Sequence, residues 1–324
     1  MPSHRSRTAR RRAHGHRRTV RAHPRSDLLL QTFWTGKPLS RLERAALQSY
    51  VNQGYTVEVY TYNPIRDFIN RLPPGTYAAG TIRVHDARTI LPESALFEYG
   101  GRADVGKRAN AYRFLPFSDL FRFTMLHKKG GAWMDLDIFL TRPIPTDVLA
   151  APYVFSSERT IQKGAYRKAE PQIVDMGFIK VPGPGSPLTT WILDHLPDPT
   201  AMINPKTPFD YMNLYRKGIT ALGLERYVLP AHAFLPLNWW DVKNSFGPGT
   251  GAPSACLRSK YGVAAFCTAE LQRPDVYGVH WFRAILRKKG LAYEEAGERT
   301  VRDNLYEAMI QKIENDAGLS RNAL

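Results

Sequence analysis

Long apolar runs are missing from this chain. No stretch of the 324 residues approaches the roughly 20 that a membrane-crossing helix requires, so the chain is expected to fold without spanning a bilayer. Cysteine is almost absent too, with only Cys256 and Cys267 present. Two are too few for a disulfide framework. They fit reduced thiols in the cytosol, with a single loop-closing bridge as the other reading. Acidic residues are lacking from Met1 to Ser26, where nine arginines stand among few large apolar side chains. Residues 1–27 therefore read as a disordered arm. No apolar stretch follows these arginines, which argues against a signal peptide. Internal repeats are absent as well.

What remains is a globular composition, 43% hydrophobic and able to bury a sizeable core. The formal net charge is +16, and the arm supplies more than half of it. The arm lacks the interleaved aromatics that stack on bases, so an anionic membrane suits its charge better than nucleic acid does. The expectation is a cytoplasmic protein in peripheral contact with the inner membrane face. Deleting residues 1–26 should weaken binding to anionic vesicles across a salt series; unchanged binding would rule the idea out.

Hydrophobic periodicity predicts alternating strands and helices from residue 28 onward. Leu28 to Trp34 reads as a first buried strand, Ser40 to Gln53 as an amphipathic helix stopped by Gly54, and Thr56 to Tyr62 as a second strand. This order suggests a right-handed βαβ unit in a mostly parallel sheet. Further strands are expected over Ile82–His85, Ala132–Leu140, Tyr153–Ser156, Ile173–Val181, Tyr227–Leu229 and Val276–Trp281. Helices are expected from Ser118, as a cap, to Lys129, and over Pro187–His195, Phe209–Gly218 and a basic tail at Tyr306–Ile313. Leu91 to Phe114 is irregular, as an active-site insertion would be.

One motif carries chemistry. Asp135-Leu136-Asp137 follows Gly130-Gly131 within an apolar stretch. On an extended strand the two carboxylates would point the same way while Leu136 points into the core. Paired hard oxygen ligands suit Mn²⁺ or Mg²⁺ bridging two phosphates. A solvated strand end is the plainer explanation, but two charges in an apolar strand are costly without a partner.

The run Ser118-Asp119-Leu120-Phe121-Arg122-Phe123, followed by Gly130-Gly131-Ala132-Trp133-Met134-Asp135-Leu136-Asp137, resembles the DXD sugar-binding region of family 32 glycosyltransferases. Phe123 and Trp133 stand where that family usually has tyrosine. Phe33-Trp34-Thr35-Gly36 resembles its opening strand, while the family's terminal His-x-Trp becomes His280-Trp281-Phe282 here. Where the family often has an Asn, this chain has Asp175.

The resemblance implies an α/β fold of GT-A type over residues 28–290, with a mostly parallel central sheet flanked by helices. It places the nucleotide-sugar site at the strand C-terminal ends and leaves residues 291–324 as a helical extension. It implies a metal-dependent, retaining transfer from a nucleotide sugar, UDP- ahead of GDP-linked, to a glycan or glycolipid hydroxyl. Asp137 is expected as a direct ligand of Mn²⁺ (or Mg²⁺), and Asp135 as a ligand through water or a ribose contact. His280 is expected to complete the metal shell from the C-terminal side, where a lone histidine would more often be structural. Asp119 and Arg122, one turn apart on a helix face, meet the donor sugar or phosphate, where an arbitrary pair at that spacing would be a surface ion pair. Trp34 is expected to stack on the base from a strand end, with Thr35 and Gly36 beside it, a buried core tryptophan being the alternative. Asp241 and Asn244 lie in a polar loop, read by default as loop-solvating residues, with closure over the donor as the functional alternative. The expected chemistry is front-face displacement, with double displacement through Asp175 or Asp241 as the alternative. The competing reading is a basic nucleic-acid- or membrane-binding protein on a non-catalytic nucleotide-sugar fold.

Overall fold

The computed structural model describes residues 28–96, 115–159, 172–197, 210–253, 255–257, 266–289, 291 and 304–319. The Arg-rich arm and residues 97–114 of the expected insertion lie outside them. In chain order the elements are β1 (Leu29–Phe33), α1 (Arg41–Asn52), β2 (Thr56–Thr61), α2 (Ile65–Ile69), β3 (Ile82–Asp86), α3 (Leu115–Lys129), β4 (Gly131–Met134) and β5 (Ile138–Leu140). There follow α4 (Thr146–Ala150), β6 (Val154–Arg159), β7 (Gln172–Val181), α5 (Pro187–Asp194), α6 (Tyr211–Ala221), β8 (Gly278–His280), α7 (Arg283–Lys288) and α8 (Leu305–Asp316).

Six strands form one sheet in the order β3-β2-β1-β4-β7-β6, and β5 pairs with β8 in a second, two-stranded sheet. The pairs from β3 through β4 are parallel, while β7 runs antiparallel to both β4 and β6. Alternation along the strands sends side chains into two apolar layers. Val57, Ala132 and Met134 join the layer covered by α1 and α8. Phe33, Trp133 and Ile179 join the layer covered by α3, α5 and α6. The expected α/β architecture, a mostly parallel sheet between helices, is the observed one.

Local chemistry accounts for the boundaries. Ser40 precedes α1, and the Glu43 carboxylate reaches back to the Ser40 amide at 2.7 Å, satisfying one helix-start donor. Gly130 and Gly131 both have positive φ (67° and 79°), and a Cβ on Gly130 would lie 2.5 Å from the Gly183 Cα. Only glycine fits there, so the chain can turn sharply from α3 into β4. At the other end of the chain, α8 packs into the core through Leu305, Tyr306, Ile310 and Ile313. Arg41 on α1 clamps it by salt bridges to Glu307 at 2.8 Å and Glu314 at 3.2 Å.

Several expectations need correction. Ala132–Leu140 is not one strand: it breaks at Asp135–Asp137 into β4 and β5, which belong to different sheets. Ser118 lies inside α3 rather than capping it, because the helix starts at Leu115. Tyr227–Leu229 is no strand; a 3-10 turn over Glu225–Tyr227 leads to a single bridge between Val228 and Phe155. The C-terminal helix is not basic, since its buried face carries Glu307 and Glu314 toward Arg41. Cys256 and Cys267 are joined in a disulfide across an isolated antiparallel bridge, so the loop-closing reading holds over reduced thiols. No helix among the described residues is long and apolar enough to cross a membrane.

Candidate active site

The sheet order places a crevice at one particular spot. From β1 the chain moves outward through β2 to β3, then returns to the other side of β1 as β4. The loops leaving the C-terminal ends of β1 and β4 therefore part in opposite directions, and ligands of open α/β sheets bind in the opening between them. Trp34, Thr35 and Gly36 leave β1 there, and Asp135 to Asp137 leave β4.

The carboxylates converge, but a turn brings them together, not strand alternation. Asp135 follows the last residue of β4, and Leu136-Asp137 form a turn into β5, with Leu136 buried. Side-chain ligand atoms of Asp135, Asp137 and His280 all lie within 4.8 Å of one another. His280 arrives on β8, whose pairing with β5 sets His280 opposite Ile138. Its Nε2 is 3.1 Å from Asp137 Oδ1. The remaining Asp137 oxygen, Oδ2, accepts from the Arg283 amide at 2.7 Å, and the Trp281 amide donates to the Asp137 carbonyl at 2.8 Å.

Asp135 is held from the other side. Its Oδ1 accepts from Arg122 Nη2 at 2.8 Å and from the Trp133 indole N–H at 2.6 Å. Among the described residues no donor reaches its Oδ2. The Asp135 amide donates to the Gly177 carbonyl at 2.9 Å, and the Tyr50 hydroxyl donates to the Asp135 carbonyl at 2.5 Å. Arg122 lies with its guanidinium 4.7 Å from the Trp133 ring centre and pairs with Asp119 at 3.3 Å. Only 3% of Arg122 and 8% of Asp119 is exposed, so this is a buried ion-pair network and not the surface pair that i,i+3 spacing alone would suggest.

Burial and crowding shift the acids. Burial raises Asp119 to about 7, with Arg122 acting against the shift. Burial likewise raises Asp135 to about 6, opposed by Arg122 and reinforced by Asp137. Asp137 behaves differently: burial works against its charge, but His280 and the Arg283 amide outweigh it and its pKa falls. Burial would lower His280, yet Asp137, Asp175 and Asp135 together hold it up at about 9.

Residues 108–172 match the family model described as capsular polysaccharide synthesis protein. That span takes in α3, the paired glycines, β4 and the carboxylate turn. No curated protein matches the chain. Among solved structures it is similar to one titled PaToxG glycosyltransferase, at 12% identity over 63% of this chain and 76% of that one, with a TM-score of 0.36. It is also similar to a transferase solved as a double cysteine-to-serine mutant, at 13% identity over 60% of this chain and 84% of that one, with a TM-score of 0.33.

The other expected residues are distributed around this centre. Trp34 is partly buried, its N–H donates to the Lys37 carbonyl at 2.7 Å, and the Arg283 guanidinium sits 4.4 Å from the ring centre. One ring face is thus already covered. Gly36, with φ of 83°, is tied to Asn63 by its amide at 3.0 Å, and Thr35 lies between it and Trp34. Among the described residues the carboxylate–imidazole group comprises Asp135, Asp137 and His280, without Asp241. Asp241 is buried at the start of the 3-10 turn Val242–Phe246, whose Val242 and Phe246 pack into the core.

Sequence reasoning passes over Tyr50, Gly177, Arg283 and the Trp133 N–H. For Trp133 and Arg283 a signal exists: the indole in the Gly-Gly-x-aromatic run, and an arginine three residues after His280. Tyr50 and Gly177 carry none, since each reaches Asp135 from a remote segment.

Glu158 on β6 is a further perturbed acid. Burial and the charge of Asp175 raise it from 4.5 to about 7, against Arg216 at 3.6 Å and His280. Between those pH values the folded protein holds a proton that the unfolded chain releases, so its contribution to stability is lost as pH rises through the window. Glu158→Gln should therefore gain stability relative to the parent protein between pH 5 and pH 8. Urea denaturation at both pH values checks this, and a pH-independent difference would refute it.

Proposed function

We propose that this protein is a metal-dependent glycosyltransferase that moves a sugar from a nucleoside diphosphate sugar to a hydroxyl of a glycan or glycolipid. The observation that carries the reading is the convergence of Asp135, Asp137 and His280 beside the Trp34 loop, in the crevice between β1 and β4. The match of residues 108–172 to capsular polysaccharide synthesis proteins supports sugar transfer and a glycan acceptor.

The donor set fits a divalent cation. Two carboxylates and one imidazole supply mixed oxygen and nitrogen ligands, a combination that suits Mn²⁺ ahead of Mg²⁺. Asp137 and His280 would hold the ion directly, and Asp135 through water or by way of the donor ribose. When bound, such an ion supplies Lewis-acid stabilisation of the charge on a departing diphosphate. Asp119 and Arg122 would meet the donor sugar, Arg122 keeping a fixed positive charge at a buried position. Trp34 would offer its uncovered face to the nucleobase, with Thr35 and Gly36 beside it.

Retention of anomeric configuration is what the family resemblance implies; front-face displacement is proposed because no strong internal nucleophile stands out in the sequence, and UDP donors are placed ahead of GDP donors. A panel of UDP- and GDP-sugars, assayed for hydrolysis with and without Mn²⁺, tests the whole reading. Mn²⁺-dependent turnover of a UDP-sugar is the expected outcome. Binding without hydrolysis or transfer would instead favour the non-catalytic alternative, and no metal-linked binding of any donor would sink both.

A further inference from the structure

His280 is gripped on more sides than a single ligand contact requires. Its Nε2 faces Asp137, while its Nδ1 is buried and has no hydrogen-bond partner among the described residues. The nearest acid on that side is Asp175, whose Oδ2 lies 3.9 Å away, a gap that charge spans but a direct hydrogen bond does not. Asp175 is itself locked. Its Oδ2 accepts from the Gly177 amide at 2.9 Å and from the Ser156 hydroxyl at 3.0 Å, and that hydroxyl in turn accepts from the Phe178 amide at 2.9 Å. The residue is only 5% exposed, so the carboxylate has no freedom to turn outward.

The space between the two side chains is kept open by a glycine. A Cβ on Gly177 would come within 2.8 Å of Asp175 Oδ2 and 3.3 Å of His280 Cε1. The imidazole face is also covered. Phe282 stacks on it at a centroid distance of 4.1 Å and an interplanar angle of 15°. Phe282 has φ of 50°, the one left-handed residue besides glycines among those described. A bulky side chain in that region costs about 1–3 kcal/mol and persists only where surrounding contacts impose it. Here that backbone lays the phenyl ring on His280 and, one residue later, delivers the Arg283 amide to Asp137.

We propose that Asp175 and Phe282 are positioning residues that hold His280 for divalent-cation binding, Asp175 behind Nδ1 and Phe282 across the ring face. The inference rests on the reading of Asp135, Asp137 and His280 as a metal site. Groups behind a metal-binding histidine orient its ring and raise its basicity, and losing them typically lowers metal affinity about 10–100-fold; at 3.9 Å Asp175 acts on Nδ1 through its charge. In this role Asp175 does not attack the sugar.

The test measures Mn²⁺ binding to the full chain without any donor, by titration calorimetry and by electron paramagnetic resonance. Asp175→Asn is nearly isosteric and should weaken Mn²⁺ affinity about 10–100-fold, with a small change in unfolding midpoint. Phe282→Gly removes the ring while relieving the left-handed backbone, so it should also weaken Mn²⁺ binding without a matching loss of stability. Turnover separates positioning from catalysis: Asp175→Asn should need more Mn²⁺ for half-maximal rate yet approach the parent kcat at saturating Mn²⁺. Unchanged Mn²⁺ affinity in both variants, against measurable binding by the parent protein, would overturn the proposal. So would a kcat that stays collapsed in Asp175→Asn at saturating Mn²⁺. If the parent protein itself binds no Mn²⁺, the metal-site reading fails first, and that result is distinct from either of these.

Discussion

Asp137→Ala should lower Mn²⁺-dependent sugar transfer, or donor hydrolysis, by at least ~10²–10³-fold, the usual cost of removing one preorganised charge-stabilising group. The fold should survive. The backbone contact between the Asp137 carbonyl and the Trp281 amide does not depend on the side chain, and β5 still pairs with β8. His280 loses its closest acid but keeps Asp175 within 3.9 Å. Circular dichroism and the unfolding midpoint should therefore stay close to those of the parent protein while the rate collapses. Near-normal turnover with metal dependence intact would remove Asp137 from the site. Asp137→Asn is a finer probe, because it keeps an acceptor for the Arg283 amide and loses only the charge.

Arg122 should produce the largest change in stability. Its guanidinium lies between Asp119 at 3.3 Å and Asp135 at 2.8 Å, and rests on the Trp133 ring. Replacing it with leucine would leave two buried carboxylates facing no cation on α3. Breaking one partner out of a buried pair typically costs about 3–5 kcal/mol, because the survivor remains desolvated and uncompensated. Chemical denaturation near neutral pH should show a loss of that order in Arg122→Leu. Arg122→Lys keeps the charge but lacks the flat fork that reaches both acids and stacks on the indole, so an intermediate loss is expected. A loss below about 1 kcal/mol in the leucine variant would mean the pair behaves as a solvated one.

Both variants alter residues that stand out in the amino-acid sequence, yet the reasons they matter come from different places. Asp119 and Arg122 share a helix face by spacing alone, and spacing cannot distinguish a solvated pair from one that is 8% and 3% exposed. Asp135 and Asp137 show the converse. An extended strand predicts their convergence, but the strand is interrupted, and the turn at Leu136-Asp137 brings the carboxylates to His280. The pair is the expected one; the local geometry that joins it is not. Gly130-Gly131 points to a sharp change of direction, and positive φ at both positions gives the reason.

By itself the sequence determined the alternation of strands and helices, the mostly parallel sheet and the acidic pair, because periodicity and turn residues act over short stretches of chain. Only the tertiary structure decided which unexpected groups complete the site, Tyr50 from α1, Gly177 from β7 and Arg283 from α7, and how His280 from β8 and Asp175 from β7 stand toward Asp137. These contacts span up to 146 residues of chain, as between Asp137 and Arg283. Strand order and the break between β4 and β5 bring them together. No local pattern encodes such proximity, since it arises when separate apolar faces bury against one another.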